Sequence, residues 1–322
     1  MRILINQLFL FMRWLINSWP NTKVVELIWR SFNRTLSGLG VRIDCQTKWG
    51  GKFRCDPRDI IQNRLLYFGI WEPTITTYLT ALDLEGHSFL DVGANIGYYT
   101  VLCAKLVGPH GKVYAVEPMP RILDSLRSNI TLNRLENVTV IDRCVTTNSG
   151  PREMFYGPEY NLGKSSQQSL RAGRESVTVE GVTLFDLLKP DEFKKVRLIK
   201  IDIEGGEIPL LQQILQNYHL LDPQVSFLVE LSNNNGNMTD FIQDFFQEFL
   251  TLGYIIYRLH NSYERFHYEK HGESTHLIPE VIDNIPDEDV DLLMSRLSPE
   301  ILEYRLEEYE ARANWPKRVP PQ

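Results

Sequence analysis

The chain has 322 residues, 43% of them apolar, which suffices for a large buried core in one domain or two and excludes a disordered chain. Its net charge of -7, with no run of basic residues, excludes a broad nucleic-acid footprint and favours small or weakly charged partners. The four cysteines, Cys45, Cys55, Cys103 and Cys144, show neither metal-binding spacing nor disulfide-scaffold density, so a reducing, cytoplasmic setting is expected.

In chain order, Met1 to Ile16 is apolar but broken by Asn6, Gln7 and Arg13. It is too short and interrupted to span a membrane, and no small-residue cleavage site follows. An amphipathic helix packed on the main domain is expected, with a membrane-surface or partner-binding helix as the alternative. Residues 1–86 read as a mainly helical cap that includes Trp14, Trp19, Trp29, Trp49 and Trp71. Glu72 precedes Pro73, a good helix opener. It either caps that helix or reaches toward the amino-acid end of a cofactor.

From Ser88 to Thr100 the sequence gives a short apolar strand (Phe89, Leu90, Val92), a glycine turn and a helix start. Such a turn lies at the carboxyl ends of an open parallel sheet, where ligands bind. Asn95 and Tyr98 stand where a dinucleotide fingerprint needs its second and third glycines, and Asp91 would repel a pyrophosphate while favouring a cation. The turn of Gly93, Ala94, Asn95 and Gly97 therefore suits S-adenosylmethionine, whose sulfonium is positive, better than NAD. A second strand, Val113 to Val116, ends in Glu117 and Pro118. Glu117 lies 24 residues beyond Gly93, the place of a ribose-binding acid.

A helix over Pro120 to Leu135 and a third strand, Val138 to Ile141, follow. Asp142 and Cys144 fall where a doubly wound sheet meets an adenine, Asp142 either accepting from its amino group or standing as a plain loop carboxylate. Residues 148–180, rich in Gly, Ser, Asn and Gln, form an insertion expected to act as a hairpin or lid over the substrate. From Val196 to Glu207 a strand alternates Ile199, Ile201 and Ile203 with Lys200, Asp202 and Glu204. Strands inside parallel sheets are apolar on both faces, so this charged row demands either a polar cleft or an internal ion pair to Lys200. Asp202 and Glu204 are the candidate catalytic bases. Val225 to Glu230 is a fifth strand, Asp240 to Leu250 a helix, and Tyr254 to Leu259 and Thr275 to Ile278 are the last, antiparallel strands. His267 and His271 lack the Glu placement of a zinc motif. Residues 281–322 read as an acidic helical arm, a candidate homodimer contact.

Asp91, Gly93, Asn95 and Gly97, then Glu117 and Pro118, then Lys200, Asp202, Glu204 and Gly205, in this order and spacing, resemble the FkbM family of S-adenosylmethionine-dependent methyltransferases over roughly residues 66–280. The resemblance implies a Rossmann-like methyltransferase fold of class α/β, with a doubly wound, mostly parallel sheet over residues 87–280. It also implies O-methylation of a sugar, glycan or secondary metabolite. A magnesium ion on Asp202, Glu204 and Glu230 is chemically open, since carboxylates suit it, but is not predicted. A methyltransferase acting on a nitrogen or carboxyl acceptor, a NAD-dependent oxidoreductase and a non-catalytic nucleoside-binding adaptor remain the alternatives.

Overall fold

A computed structural model describes residues 2–18, 23–158, 160–161, 163, 165–166, 175–231, 239–261, 279–286 and 289–312. The strand expected at Thr275 to Ile278, the histidines 267 and 271, and the last ten residues of the arm lie outside them.

The cap holds helices α1 (Arg2–Ser18) and α2 (Lys23–Gly38), the hairpin β1 (Ile43–Gln46) and β2 (Lys52–Cys55), and helices α3 (Ile60–Phe68) and α4 (Pro73–Ala81). Asp59 starts α3 by accepting the amide of Gln62 at 3.0 Å, and Gly69, left-handed, ends it. There follow β3 (Ser88–Val92), α5 (Tyr98–Leu106), β4 (Lys112–Val116), α6 (Pro120–Leu132), β5 (Val138–Ile141), β6 (Cys144–Val145), β7 (Gly150–Phe155), β8 (Ser176–Val182) and the short α7 (Pro190–Phe193). The chain continues through β9 (Val196–Ile201), α8 (Glu207–Gln216), β10 (Ser226–Leu231), α9 (Thr239–Thr251), β11 (Ile255–Leu259), β12 (Glu280–Val281), β13 (Val290–Ser295) and α10 (Pro299–Arg312).

Eight strands form the central sheet in the order β12-β11-β13-β10-β9-β3-β4-β5. From β3 the chain steps one way to β4 and β5 and later returns to β9 on its other side, so the carboxyl ends of β3 and β9 flank the switch point where a crevice opens. β13 runs antiparallel between β10 and β11. The segment after residue 281 is therefore not a purely helical arm: it supplies an internal strand. Its helix α10 lies against α4 and buries Leu302 and Leu306. In the insertion, β7 and β8 pair antiparallel and join β6 in a small second sheet.

Alternation along the strands sends side chains to two cores. Phe89, Leu198, Leu228 and Leu293 face the cap and α5, where they meet Tyr67, Tyr78 and Val101. Leu90, Ile199, Phe227 and Leu292 face the other way, against Leu211 of α8 and Phe249 of α9. Asp91, Lys200, Glu230 and Asp291 keep the same phase as the first set, so the sheet's charged row points at the cap.

One close approach fixes the switch point. Gly93 has φ +85°, and a Cβ there would lie 1.8 Å from the carbonyl oxygen of Asp202. The end of β9 thus fits against the turn only because position 93 has no side chain. Gly93→Ala is expected to lower stability by at least about 1–3 kcal/mol from the backbone conformation alone. A urea melt checks this, and an unchanged midpoint would mean that the two loops are not held together.

Candidate functional site

The crevice is a cavity of about 530 Å³, inside the range of small-ligand pockets. One wall is the β3 turn and the end of β4, with Gly93, Asn95, Glu117 and Pro118. Glu117 is held by two amides: Met119 N–H donates to its Oε1 at 2.9 Å and Asn95 N–H to its Oε2 at 3.0 Å. Its carboxyl is fixed at the strand end with acceptor capacity left for two hydroxyls. Burial raises its pKa from 4.5 to about 7, against the pull of those two amides. Next to it Met119, Ile122, Cys144, Val145 and Met154 make an apolar wall suited to a flat base. There the Cys144 thiol is pushed up to about 11 by burial, with the nearby Glu117 carboxyl adding to it.

The other wall carries charge. Lys200 is buried, and its Nζ donates to Asp202 Oδ2 at 2.8 Å. Burial opposes its charge, but the carboxylates of Asp202 and Asp91 outweigh that and hold its pKa above the ordinary lysine value. Asp91 lies beside Lys200 in the β3-β9 register and accepts from Thr100 Oγ at 2.6 Å. Burial raises the Asp91 carboxyl, partly offset by Lys200. Glu230 and Asp291 stand directly opposite each other across the β10-β13 pair. Glu230 is pushed well above the carboxylate range by the charge of Asp202 and then by burial, and Asp291 by burial and then by Glu72. Glu72, from the cap, accepts the hydroxyl proton of Tyr99, whose ring lies 5.2 Å from Lys200 Nζ. The loop after β9 is braced by Glu207, which accepts the Gly205 amide at 2.9 Å. Its tip bends through Glu204, whose φ is +55°.

The structure brings Glu72, Gly93, Asn95, Glu117, Pro118, Cys144, Asp202 and Glu204 to one cavity. Glu72 makes no side-chain cap on α4; its carboxyl accepts from the Tyr99 hydroxyl and it lines the cavity. Four expected contacts are corrected. Asp91 is fully buried behind the turn, where it anchors Thr100 and Lys200 and does not line the space. Ala94 packs with Leu123 and Leu126, and Gly97 abuts Leu126, so both serve the seat of α6. Asp142 is exposed and paired with Arg143 at 2.8 Å, which makes it a loop carboxylate. Lys200 makes the ion pair that was the alternative to a polar cleft, and the cleft is there as well. Sequence reasoning missed Asp291, Tyr99 and Trp71; a lone acid inside the apolar run Val290 to Met294 was the available signal for the first. Among the described residues no group of three or more His, Cys, Asp or Glu is arranged to hold a metal ion.

The sequence profile described as the methyltransferase FkbM domain matches residues 91–256, just over half of the chain. The chain belongs to the FkbM methyltransferase family. It is 24% identical to the 31-O-demethyl-FK506 methyltransferase FkbM of Streptomyces tacrolimicus over 191 residues, 47% of this chain and 72% of that one. It is 44% identical to a protein-L-isoaspartate O-methyltransferase of Methanothrix thermoacetophila over 61 residues, 19% of this chain and only 29% of that enzyme's length. The crystal structure of an FkbM methyltransferase from Methylobacillus flagellatus KT aligns with 14% identity over 73% of this chain and 52% of that one, at a TM-score of 0.41. The FkbM profile begins at Asp91 in β3 and ends within β11, so it covers the turn, Glu117 and the β9 loop but neither the cap nor β13. The sheet is that of the Rossmann-like methyltransferase fold.

S-adenosylmethionine fits these residues on two counts: a fixed carboxyl, Glu117, that would accept from the ribose hydroxyls, and cavity-lining carboxylates that would face a positive sulfur. Ribose hydroxyls donate best to an ionised Glu117. In the cofactor-free protein that carboxyl keeps its proton up to about pH 7, whereas an unfolded one loses it near 4.5. Glu117 therefore lowers stability as pH rises through this window, and a ribose held by its ionised form should bind more tightly as pH rises toward and past 7. Titration calorimetry should give a dissociation constant up to about tenfold larger at one unit below that pKa. Glu117→Gln should flatten the profile. A pH-independent affinity in the unaltered protein would remove Glu117 from the ribose role.

Proposed function

We propose that this FkbM-family protein is an O-methyltransferase that moves a methyl group from S-adenosylmethionine to a hydroxyl of a sugar, glycan or secondary metabolite. One cavity shared by the Gly93 turn, Glu117 and the carboxylates around Lys200 carries the reading. The name of the Streptomyces relative, which gives a 31-O-demethyl compound as its substrate, supports oxygen as the acceptor atom. The acidic balance of the chain supports a small acceptor over a nucleic acid.

The cofactor supplies an electrophilic methyl on a positively charged sulfur. Glu117 would hold the ribose, Cys144 and Val145 would flank the base, and the Gly93 turn would border the amino-acid end. An alcohol is a weak nucleophile at neutral pH, so the chain must also supply a proton acceptor and hold the hydroxyl in line. Asp202 is that acceptor in this reading. It lines the cavity at the end of β9, and its carboxyl is aimed by Lys200 at 2.8 Å. Glu204, on the next outward position of the same loop, is the second choice and helps hold the acceptor.

Asp202→Asn keeps the shape and removes the acceptor. It is expected to lower kcat by about 10²–10⁴, the usual worth of general base catalysis, with cofactor affinity within a few-fold of the starting value. The assay pairs labelled cofactor with a panel of hydroxylated glycans and metabolites, and is repeated with a chelator, which should leave the rate unchanged. A fully active Asp202→Asn protein would transfer the role to Glu204, and loss of activity with chelator would require a metal.

A further inference from the structure

Among the described residues, exposed apolar side chains are concentrated on the outer surface of the cap. Of thirteen large hydrophobic side chains that stand exposed among the described residues, eight fall in the first 39 positions, so they concentrate on the cap, where α1 and α2 touch. Leu10, Phe11 and Trp14 lie on α1, and Val24, Leu27 and Ile28 on α2. The inner side of α1 is already satisfied: Phe9, Met12 and Ile16 are buried, with Phe9 5.7 Å from the ring of Tyr67 on α3. At 100° per residue, Phe11 and Trp14 project from the opposite side of the helix. A helix apolar all round needs a second apolar contact. In this structure Phe11 is 54% and Leu27 67% exposed.

Charge indicates what that contact is. The first 42 residues hold six Lys and Arg and a single acid, Glu26, a net of five positive charges, while the remaining 280 carry a net of twelve negative ones. The basic residues form no run in the sequence. Helical spacing collects them: exposed Lys23, Arg30 and Arg34 fall on the same side of α2 as Leu27, at its edge. A cationic rim around large apolar side chains, Trp among them, on helices lying flat on the protein is the chemistry of an interface with anionic lipid. A symmetric pair of chains meeting through this face would set Lys23, Arg30 and Arg34 of one copy against the same three of the other, which disfavours a second copy as the occupant. No helix of the described residues is long and apolar enough to cross a membrane, so the contact is with the surface.

We propose that the α1-α2 face of the cap seats the protein on an anionic lipid bilayer. The inference does not depend on the methyl acceptor or on the roles given to the cavity residues. Its geometry does place the cavity close by: α3 packs against α1 at Tyr67 and lines the cavity with Ile60 and Ile61, less than a helix length of roughly 13 Å away.

The full chain is sedimented with vesicles of phosphatidylcholine alone and of phosphatidylcholine mixed with phosphatidylglycerol. It should bind the mixed vesicles, bind the neutral ones at least tenfold less, and lose binding as salt is raised. Phe11→Asp with Trp14→Asp should abolish binding, and Lys23→Glu with Arg30→Glu and Arg34→Glu should weaken it by about a hundredfold. Thermal melts of both variants should match the starting protein, which separates loss of the surface from loss of the fold. Absence of binding to either vesicle, or variants that bind as well as the original, would overturn the proposal. So would sedimentation equilibrium showing a dimer that the Phe11→Asp, Trp14→Asp variant dissociates, because the face would then cover a second copy.

Discussion

A buried lysine holds this molecule's business end together. Lys200 is the one buried cation among the acids of the sheet's charged row, and its charge is balanced by Asp91 on the neighbouring strand and Asp202 two residues on. Removing one partner from such a buried set commonly costs about 3–5 kcal/mol, since the remaining charges are left without compensation. The cost of burying Lys200 therefore constrains three elements at once: the end of β3, the loop after β9, and the cap residue Glu72, which reaches the same cluster with the Tyr99 hydroxyl. Asp91, Asp202, Glu72, Glu230 and Asp291 set five carboxyl groups around one lysine, an excess of negative charge beside the cavity that a cationic ligand would relieve.

The cofactor wall and the charged wall meet because of a contact between backbones. The absence of a side chain at Gly93 lets the Asp202 carbonyl press against the turn, so Glu117 and the proposed base open into one space. Sheet phase does the remainder. Asp91, Lys200, Glu230 and Asp291 share the face that the cap covers, which makes the amino-terminal helices part of the site's enclosure as well as a surface in their own right.

Much of this was legible in the residues. The strand, turn and helix from Ser88, the acid at Glu117 and the alternating row from Lys200 carry local signals, because a strand end and a glycine turn are written in consecutive positions. What failed depended on direction and distance. Asp91 lies on the right strand, but its phase turns it inward to Thr100. Asp142 follows the right strand, but its side chain stands at the surface, paired with Arg143. β13 escaped because its partners, β10 and β11, lie dozens of residues upstream, and its acidic surroundings resemble an exposed helix. Asp291 joined the site only through that pairing, which no local pattern reports.

The most direct test of the central claim, that Glu117 and the Gly93 turn form a seat for a sulfur nucleoside beside the Lys200 cluster, is a crystal structure of the protein soaked with S-adenosylhomocysteine. The ribose hydroxyls should lie within hydrogen-bond distance of both Glu117 oxygens, with the base against Cys144 and Val145 and the sulfur facing Asp202. A nucleoside bound elsewhere, or one that leaves Glu117 facing no hydroxyl, would contradict the account.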